Sequence, residues 1–393
     1  MEVSRTKHQT SYNISGFENV QYLDICIPYL PVFEKKPGLA HVYEHVMFDG
    51  WKKQPKNKCE EIIEQNVCSI NAYTHNTGMG ICGYIKSNFL LVNELFQEIL
   101  YEPNTTGFSL EKEKNVIIQE MNEDDPTYKS FVKSIHKFRE LMGVDKKLCC
   151  SVIGTEEDVN NITLDDLKEL KESIRLITPR WFCINNRHIF FKEDEDNQNN
   201  YNPKIIYDSP IFEERLELDP QSEQTNIYFG WNMNKLAYSL GIDFTYASFD
   251  IISDYICNIS NGYSLNNILR EKGLIYGIDK IGFMVSGNFM PTFRITVSNK
   301  NAEDVVNEIK EYFEGFCLDK GVYDVVKNNK IMNGICSLNV LDSCMESIEE
   351  EKDGFFVDYK KYNNFIDKKY YESYDLIARN NFCTSNMCML ISK

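Results

Sequence analysis

Gly38-Leu39-Ala40-His41-Val42-Tyr43-Glu44-His45-Val46-Met47-Phe48 is the stretch on which the reading of this chain turns. Inside it lies H-x-x-E-H, the inverse of the commoner H-E-x-x-H zinc-binding order. On a helix, His41 and His45 stand one turn apart and Glu44 follows His41 by three residues, so the three polar groups share a face. Two neutral imidazoles on that face can bind zinc, a third ligand has to come from elsewhere, and the carboxylate between them can reach a water at the metal without ligating it. Leu39, Val42 and Val46 fall on the other face and would anchor the helix to a sheet. Pro37 stands just ahead of it, where a fixed φ and a missing N–H do no harm, and Asp49-Gly50 marks its end. A histidine on a helix is more often a surface or core residue than a ligand, and the chain has six histidines, so the pattern needs an independent second signal.

Working outward, Val20 to Leu30 alternates, with Leu23, Ile25 and Ile27 on one side and Tyr22, Asp24 and Cys26 on the other, as expected of a half-buried strand. After the motif, a helix over Lys58 to Asn66 leads into a β-hairpin, Cys68 to Thr74 and Gly78 to Ile85, joined by a His75-Asn76-Thr77-Gly78 turn. His75 in so polar a turn reads as an exposed residue rather than a ligand. Ser87 to Tyr101 has Leu91, Leu95 and Ile99 in helical register. In Glu111 to Glu120 the carboxylates of Glu113 and Glu120 lie seven residues apart with Ile117 between them, so one helical face carries both. The third ligand is to be sought there.

At this point the chain resembles the pitrilysin/insulysin family of inverted-motif zinc peptidases, most closely its short-chain branch of mitochondrial processing peptidases and bacterial homologues. Gly38-Leu39-Ala40-His41 through His45 looks like the family's Gly-Leu-Ala-His-x-x-Glu-His. Glu120, 75 residues beyond His45, occupies the place of the family's glutamate ligand. Glu113-Lys114-Asn115-Val116-Ile117-Ile118-Gln119-Glu120 is similar to its E-x-x-V-I-x-x-E run, and Asn71-Ala72-Tyr73-Thr74 to its Asn-Ala-x-Thr. Val152 to Glu157 resembles its I-G-T-x-E turn. The resemblance implies that His41, His45 and Glu120 ligate Zn2+, that Glu44 is the general base, and that Glu113 is a second acidic catalytic residue supporting the ligands. Asn71 and Ala72 would lie on an edge strand that takes up substrate by adding it to the sheet.

The remaining first half fits. Phe131, Ile135, Phe138 and Met142 form an apolar helical stripe ending at Gly143. Thr163 with Asp166 resembles a capping box that opens a helix to about Ile174, and Trp181 to Phe191 reads as a closing strand. Lys192 to Asn202 is acidic, Asn-rich and aperiodic. The division is therefore a catalytic zinc-binding domain over residues 1–195, a linker over 196–210 and a second, homologous domain over 211–393. The order of elements begins again there: a strand at Thr225 to Trp231, a helix at Thr245 to Asn258, a hairpin, then Tyr370 to Arg379 and Met387 to Ser392 as the last helix and strand. The second half lacks H-x-x-E-H. Its Leu269-Arg270-Glu271-Lys272-Gly273-Leu274-Ile275-Tyr276 is similar to the family's L-R-E-K-x-G-L-x-Y, one residue short. Arg270 and Tyr276 are thus substrate-binding candidates whose spacing would shift Tyr276 by most of a helical step if the region were helical.

The fold class implied is α+β: two structurally similar domains, each a mostly antiparallel sheet packed against helices, forming half of a clamshell chamber. With 42 basic and 59 acidic residues the formal charge is −17, which argues against nucleic acid or anionic membrane as a partner and favours basic peptides. Thirteen cysteines without a C-x-x-C pair, the absence of a signal-like N-terminus and no apolar run of spanning length lead to the expectation of a cytoplasmic protein with reduced thiols. The function expected is a zinc-dependent endopeptidase cleaving extended peptides inside a closed chamber, in peptide maturation or leader removal, as a homodimer or with a related partner subunit. The alternative is a non-catalytic or partner-dependent peptide-binding subunit. Such relatives usually lose a ligand or the base, whereas this chain keeps all four residues.

Overall fold

A computed structural model describes residues 2–6, 8–15, 19–28, 34–48, 56–123, 126–185, 213–219, 221–259, 262–285, 288–336, 345, 348, 352, 364–366 and 370–393. The expected linker and the ends expected for the motif helix and for the Trp181 strand lie outside these residues. The fold is α+β, with two sheets, each mostly antiparallel and each backed by helices. The chain divides into two compact units, and each draws on both halves of the sequence. Unit 1 comprises Met1–Asp124, Cys150–Pro203 and Asn339–Lys352; unit 2 comprises Asp125–Cys149, Lys204–Leu338 and Asp353–Lys393.

The unit 1 sheet contains β1 (Glu2–Arg5), β2 (Gln9–Asn13), β3 (Gln21–Ile27), β4 (Val67–His75), β5 (Gly78–Ile85) and β6 (Arg180–Ile184), in the order β1-β2-β6-β3-β5-β4. All neighbours are antiparallel except β2 and β6. The unit 2 sheet contains β7 (Glu213–Leu216), β8 (Gln224–Trp231), β9 (Asp279–Val285), β10 (Asn288–Ser298) and β11 (Met387–Ser392), in the order β7-β11-β8-β10-β9, and its one parallel pair is β7 with β11. Matched strand for strand, the second sheet repeats β2-β6-β3-β5-β4, including the position of the parallel pair. The duplication expected from the order of elements is thus present in the topology, with β4 and β9 as equivalent edges.

One face of the first sheet packs against α1 (Leu39–Val46), α3 (Phe89–Tyr101) and α7 (Leu164–Arg175). Leu39, Val42, Tyr43 and Val46 of α1 are buried against Leu23, Ile25 and Ile27 of β3, Ile81 of β5 and Phe96 of α3. Removing one such side chain from water contributes roughly 1.5–3 kcal/mol. The Tyr43 hydroxyl donates to the Leu100 carbonyl at 2.9 Å, tying α1 to α3. At the head of α1, Gly38 has φ +84°, and a Cβ there would fall 2.3 Å from the Ile153 carbonyl oxygen. Only glycine permits this approach of the helix start to the Ile153-Gly154 turn. Both Thr155 with Asp158 and Thr163 with Asp166 form reciprocal capping boxes.

The other face of the first sheet departs from the half-buried expectation for β3. Tyr22, Asp24 and Cys26 are as buried as Leu23 and Ile25, because Tyr12, Phe182 and Ile184 share that face and Ile348, Met345 and Lys352, from far along the sequence, cover it. The second sheet is covered in the same two-sided way. Its core face gathers Phe229, Trp231, Phe293, Phe313 and Phe382, with α9 (Ile242–Cys257), α11 (Ala302–Glu314) and α13 (Tyr371–Asn381) against it. The opposite face receives α5 (Pro126–Leu141): Phe138 packs on Tyr228, and the Ser134 and Ser392 hydroxyls meet at 2.7 Å. The apolar stripe read from Phe131 to Met142 is therefore real, and its partner is the second sheet.

Candidate metal centre

Two helices supply the polar groups of the motif. α1 carries His41, Glu44 and His45, and α4 (Gly107–Glu123) carries Glu113 and Glu120, held by buried Leu110 and Ile117. The two imidazoles adopt the same relation to their surroundings. Each turns Nε2 toward Glu120: His41 Nε2 lies 3.6 Å and His45 Nε2 3.5 Å from Glu120 Oε2. Each turns Nδ1 toward a different carboxylate, His41 to Glu44 Oε2 at 3.5 Å and His45 to Glu113 Oε2 at 3.4 Å. The rings are 4.8 Å apart between centroids and inclined at 68°.

Among the described residues, His41, His45 and Glu120 form a group in which one potential ligand atom from each lies within 4.8 Å of the others. Two ligands about 2.1 Å from a zinc ion at a tetrahedral angle are separated by about 3.4 Å, close to the nitrogen–oxygen separations found. His41 Nε2 is buried and makes no hydrogen bond. A buried polar atom without a partner is costly, and a metal ion would satisfy it. The donor set, two imidazole nitrogens and one carboxylate oxygen, is also one that suits a catalytic zinc. On distance, on donor chemistry and on the buried, unbonded Nε2 of His41, the residues fit this metal, with Glu120 closing the set from the exposed side.

Glu44 makes a contact that residue spacing did not reveal. The Thr74 hydroxyl on β4 donates to Glu44 Oε2 at 2.7 Å. Burial opposes ionisation of Glu44, but the hydrogen bonds from His41 and Thr74 and the two nearby imidazoles prevail, holding its carboxyl below the usual carboxylate range. The signal for Thr74 lay in strand alternation, which places it on the same face as Ala72, toward α1, and opposite Tyr73. Glu113 is nearly buried and also accepts from Lys112 Nζ at 2.8 Å. Farther up the chain, Glu34 Oε1 accepts from the Ala40 amide at 2.8 Å at the start of α1, and burial pushes its carboxyl up to about 8.

Among the described residues β4 is the edge of its sheet, paired with β5. Asn71 is exposed on it and Ala72 is buried against the α1 side. His75 is exposed and stacks on Tyr73 at 4.9 Å, apart from the histidine pair of α1. Arg270 and Tyr276 belong to unit 2 and meet one another. Arg270 Nη1 donates to the Tyr276 carbonyl, and its guanidinium lies 5.4 Å from the centre of the Tyr276 ring. The conditional argument about a helical step does not apply to them. α10 (Leu265–Glu271) ends before Gly273, which has φ +67°, and Tyr276 lies beyond it, 88% exposed.

Residues 33–139 match the insulinase family, peptidase family M16. Subunit 1 of the bovine mitochondrial cytochrome b-c1 complex is 30% identical over 139 residues, 35% of this chain and 28% of that protein. The beta subunit of the mitochondrial processing peptidase of Saccharomyces cerevisiae is 28% identical over 137 residues, covering 34% of this chain and 29% of the subunit. YmxG of Helicobacter pylori, described as a non-peptidase homologue, is 27% identical over 133 residues, 34% of this chain and 30% of its own length. The matched part thus spans less than a third of each of these relatives. In fold the likeness extends throughout: a protease from Helicobacter pylori superposes over 100% of this chain and 99% of its own with a TM-score of 0.74 at 15% identity. No helix among the described residues is long and apolar enough to cross a membrane. Residues 33–139 of the chain thus carry a match to the insulinase, or M16, family domain, the part that holds α1 and α4.

Proposed function

We propose that this chain is a zinc-dependent endopeptidase acting on extended peptides. The observation that carries the reading is the convergence of His41 Nε2 and His45 Nε2 on Glu120, with each Nδ1 backed by its own carboxylate. His41, His45 and Glu120 would hold the metal; zinc bound there supplies a Lewis acid that activates water and polarises a peptide carbonyl. Glu113 orients His45 through Nδ1 and raises its basicity as a ligand. Glu44, ionised and with Oε2 engaged by Thr74, accepts the proton of the attacking water through Oε1 and delivers it to the departing amine nitrogen. An extended peptide adds to the free side of β4 along Asn71 to Thr74, backbone to backbone, so selection is stricter for conformation than for sequence. The acidic chain favours basic peptides by steering. Arg270 and Tyr276 are retained as candidates for holding substrate, and a paired, chamber-forming assembly as its setting.

The rival reading, a peptide-binding subunit without turnover of its own, draws support from the kinship with a non-peptidase homologue. Zinc analysis and a Glu44→Gln variant separate the two. The enzyme reading expects one zinc per chain, peptide cleavage by the parent, and a variant that keeps zinc but loses cleavage. A parent without stoichiometric zinc, or a variant that cleaves as fast as the parent, refutes it.

A further inference from the structure

The second face of the unit 1 sheet contains a polar network that the proposed chemistry does not use. Asp24 on β3 is fully buried. Its Oδ1 accepts from the Tyr73 hydroxyl at 2.7 Å, and its Oδ2 accepts from the Tyr22 hydroxyl at 3.2 Å and pairs with Lys352 Nζ at 2.6 Å. The Lys352 side chain is 4% exposed, and its ammonium lies 4.0 Å from the centre of the Tyr73 ring. Tyr73 belongs to the edge strand β4, whereas Asp24 is two strands inward. The ring crosses the intervening β5 at Gly80, its cross-strand partner. A Cβ at position 80 would stand 2.6 Å from the Tyr73 hydroxyl oxygen and 2.4 Å from the Ile25 carbonyl oxygen, so the missing side chain is what lets the ring lie down.

A buried ion pair is a poor stabiliser, since apolar residues of similar volume often serve as well or better. Its best-attested use is to fix one arrangement among several. Here the arrangement is that of an edge strand, which has a neighbour on one side to set its position and presents its other side for pairing. Thr74, next to Tyr73 and pointing to the opposite face, holds Glu44.

We propose that Lys352 is a positioning residue for the peptide-binding edge: through Asp24 and the face of Tyr73 it holds β4 in the register and height at which an extended peptide can add to it. This rests on the reading of β4 as the peptide edge. The zinc-site residues are carried by α1 and α4, outside the network, so Lys352 acts on peptide docking rather than on metal binding.

The test uses the full chain, zinc-loaded, in the Glu44→Gln background, so that binding is read without turnover. The probe is an unstructured, fluorescein-labelled peptide of Lys, Ala and Gly, followed by anisotropy. Lys352→Met alone strands the Asp24 charge and risks unfolding, so the main variant is the double D24N/K352M, which removes both charges. We expect it to stay folded with its zinc while its Kd rises about tenfold, the equivalent of about 1.4 kcal/mol. Amide exchange across Asn71–His75 should quicken, and K352R should restore both readouts. With Glu44 intact, the same change should raise KM by more than it lowers kcat, since Thr74 on the same strand also engages Glu44, whereas a merely structural role would lower the active fraction at unchanged KM. A folded, zinc-loaded double variant with unaltered Kd and unaltered exchange in β4 overturns the proposal. A zinc-loaded parent that binds no peptide overturns the peptide-edge reading and the proposal with it, while the exchange rates separately decide whether Lys352 holds the strand.

Discussion

Glu113→Ala tests the arrangement around the histidines most directly. The carboxylate lies 3.4 Å from His45 Nδ1 and, in the proposed site, does not touch the metal. Its work is to fix the tautomer and rotation of the ring so that Nε2 faces Glu120. Losing a partner of this kind typically costs 10–100-fold in metal affinity, or about 1.4–2.7 kcal/mol. The loss should lie toward the upper end here, because Glu113 is nearly buried and solvent cannot freely take its place. Lys112, which also pairs with Glu113, is largely exposed and should find water, so its release adds little. Glu113→Gln retains an acceptor for Nδ1 and should lose less than the alanine variant. The assay is zinc competition against a chelator of known affinity, with Glu120→Ala as reference, since that variant removes a ligand outright. Equal losses in Glu113→Ala and Glu120→Ala would make Glu113 a ligand and refute the assignment. An alanine variant holding zinc as tightly as the parent would refute the orienting role.

Thr74→Val keeps the shape of the strand and removes the 2.7 Å hydrogen bond to Glu44; a bond to a charged group is worth about 1.5–3 kcal/mol. Peptide turnover should fall by at least tenfold, about 1.4 kcal/mol, with zinc content unchanged, as read by steady-state kinetics beside metal analysis. His136 on α5 is held down at about 4 by burial and by the neighbouring Arg139. Because its folded value lies below its ordinary 6.5, the unfolded chain takes up the proton first, so this group's contribution to stability is full above pH 6.5 and is lost as pH falls toward 4. Urea unfolding between these limits should show the slope, and His136→Gln should flatten it; an unchanged slope would place the titration elsewhere.

Much of this architecture was legible because it is local. The motif helix, the hairpin and the capping box at Thr163 depend on residues close together in sequence, and the 75-residue step to Glu120 follows from resemblance. What could not be read is the second covering of each sheet. Alternation in β3 gave Tyr22-Asp24-Cys26 a solvent face, since an aspartate between apolar neighbours normally marks water. Nothing near Asp24 in sequence announces that Lys352, 328 positions later, neutralises it. The stripe from Phe131 to Met142 was likewise visible as an amphipathic helix, but periodicity says that a face is buried and not what buries it. Thr74 falls between these cases: its face followed from alternation, and its partner did not.

The two sheets also separate what the fold provides from what the site requires. β9 repeats β4 as an edge, β8 and β10 repeat β3 and β5, and the parallel pair recurs at the same place, yet the second half carries no H-x-x-E-H. The same framework is thus built once with the four polar residues and once without, inside a single chain. Sharing this fold, even along its whole length, is accordingly no argument for peptidase chemistry. The argument rests on His41, Glu44, His45 and Glu120, on the one carboxylate that faces each Nδ1, Glu44 for His41 and Glu113 for His45, and on a buried Nε2 that makes no hydrogen bond. A chain with the same sheets but without these groups would still have an edge on which to bind a peptide. It would lack a means of cutting it, and so measuring binding and cleavage separately, rather than either alone, is what distinguishes the two readings.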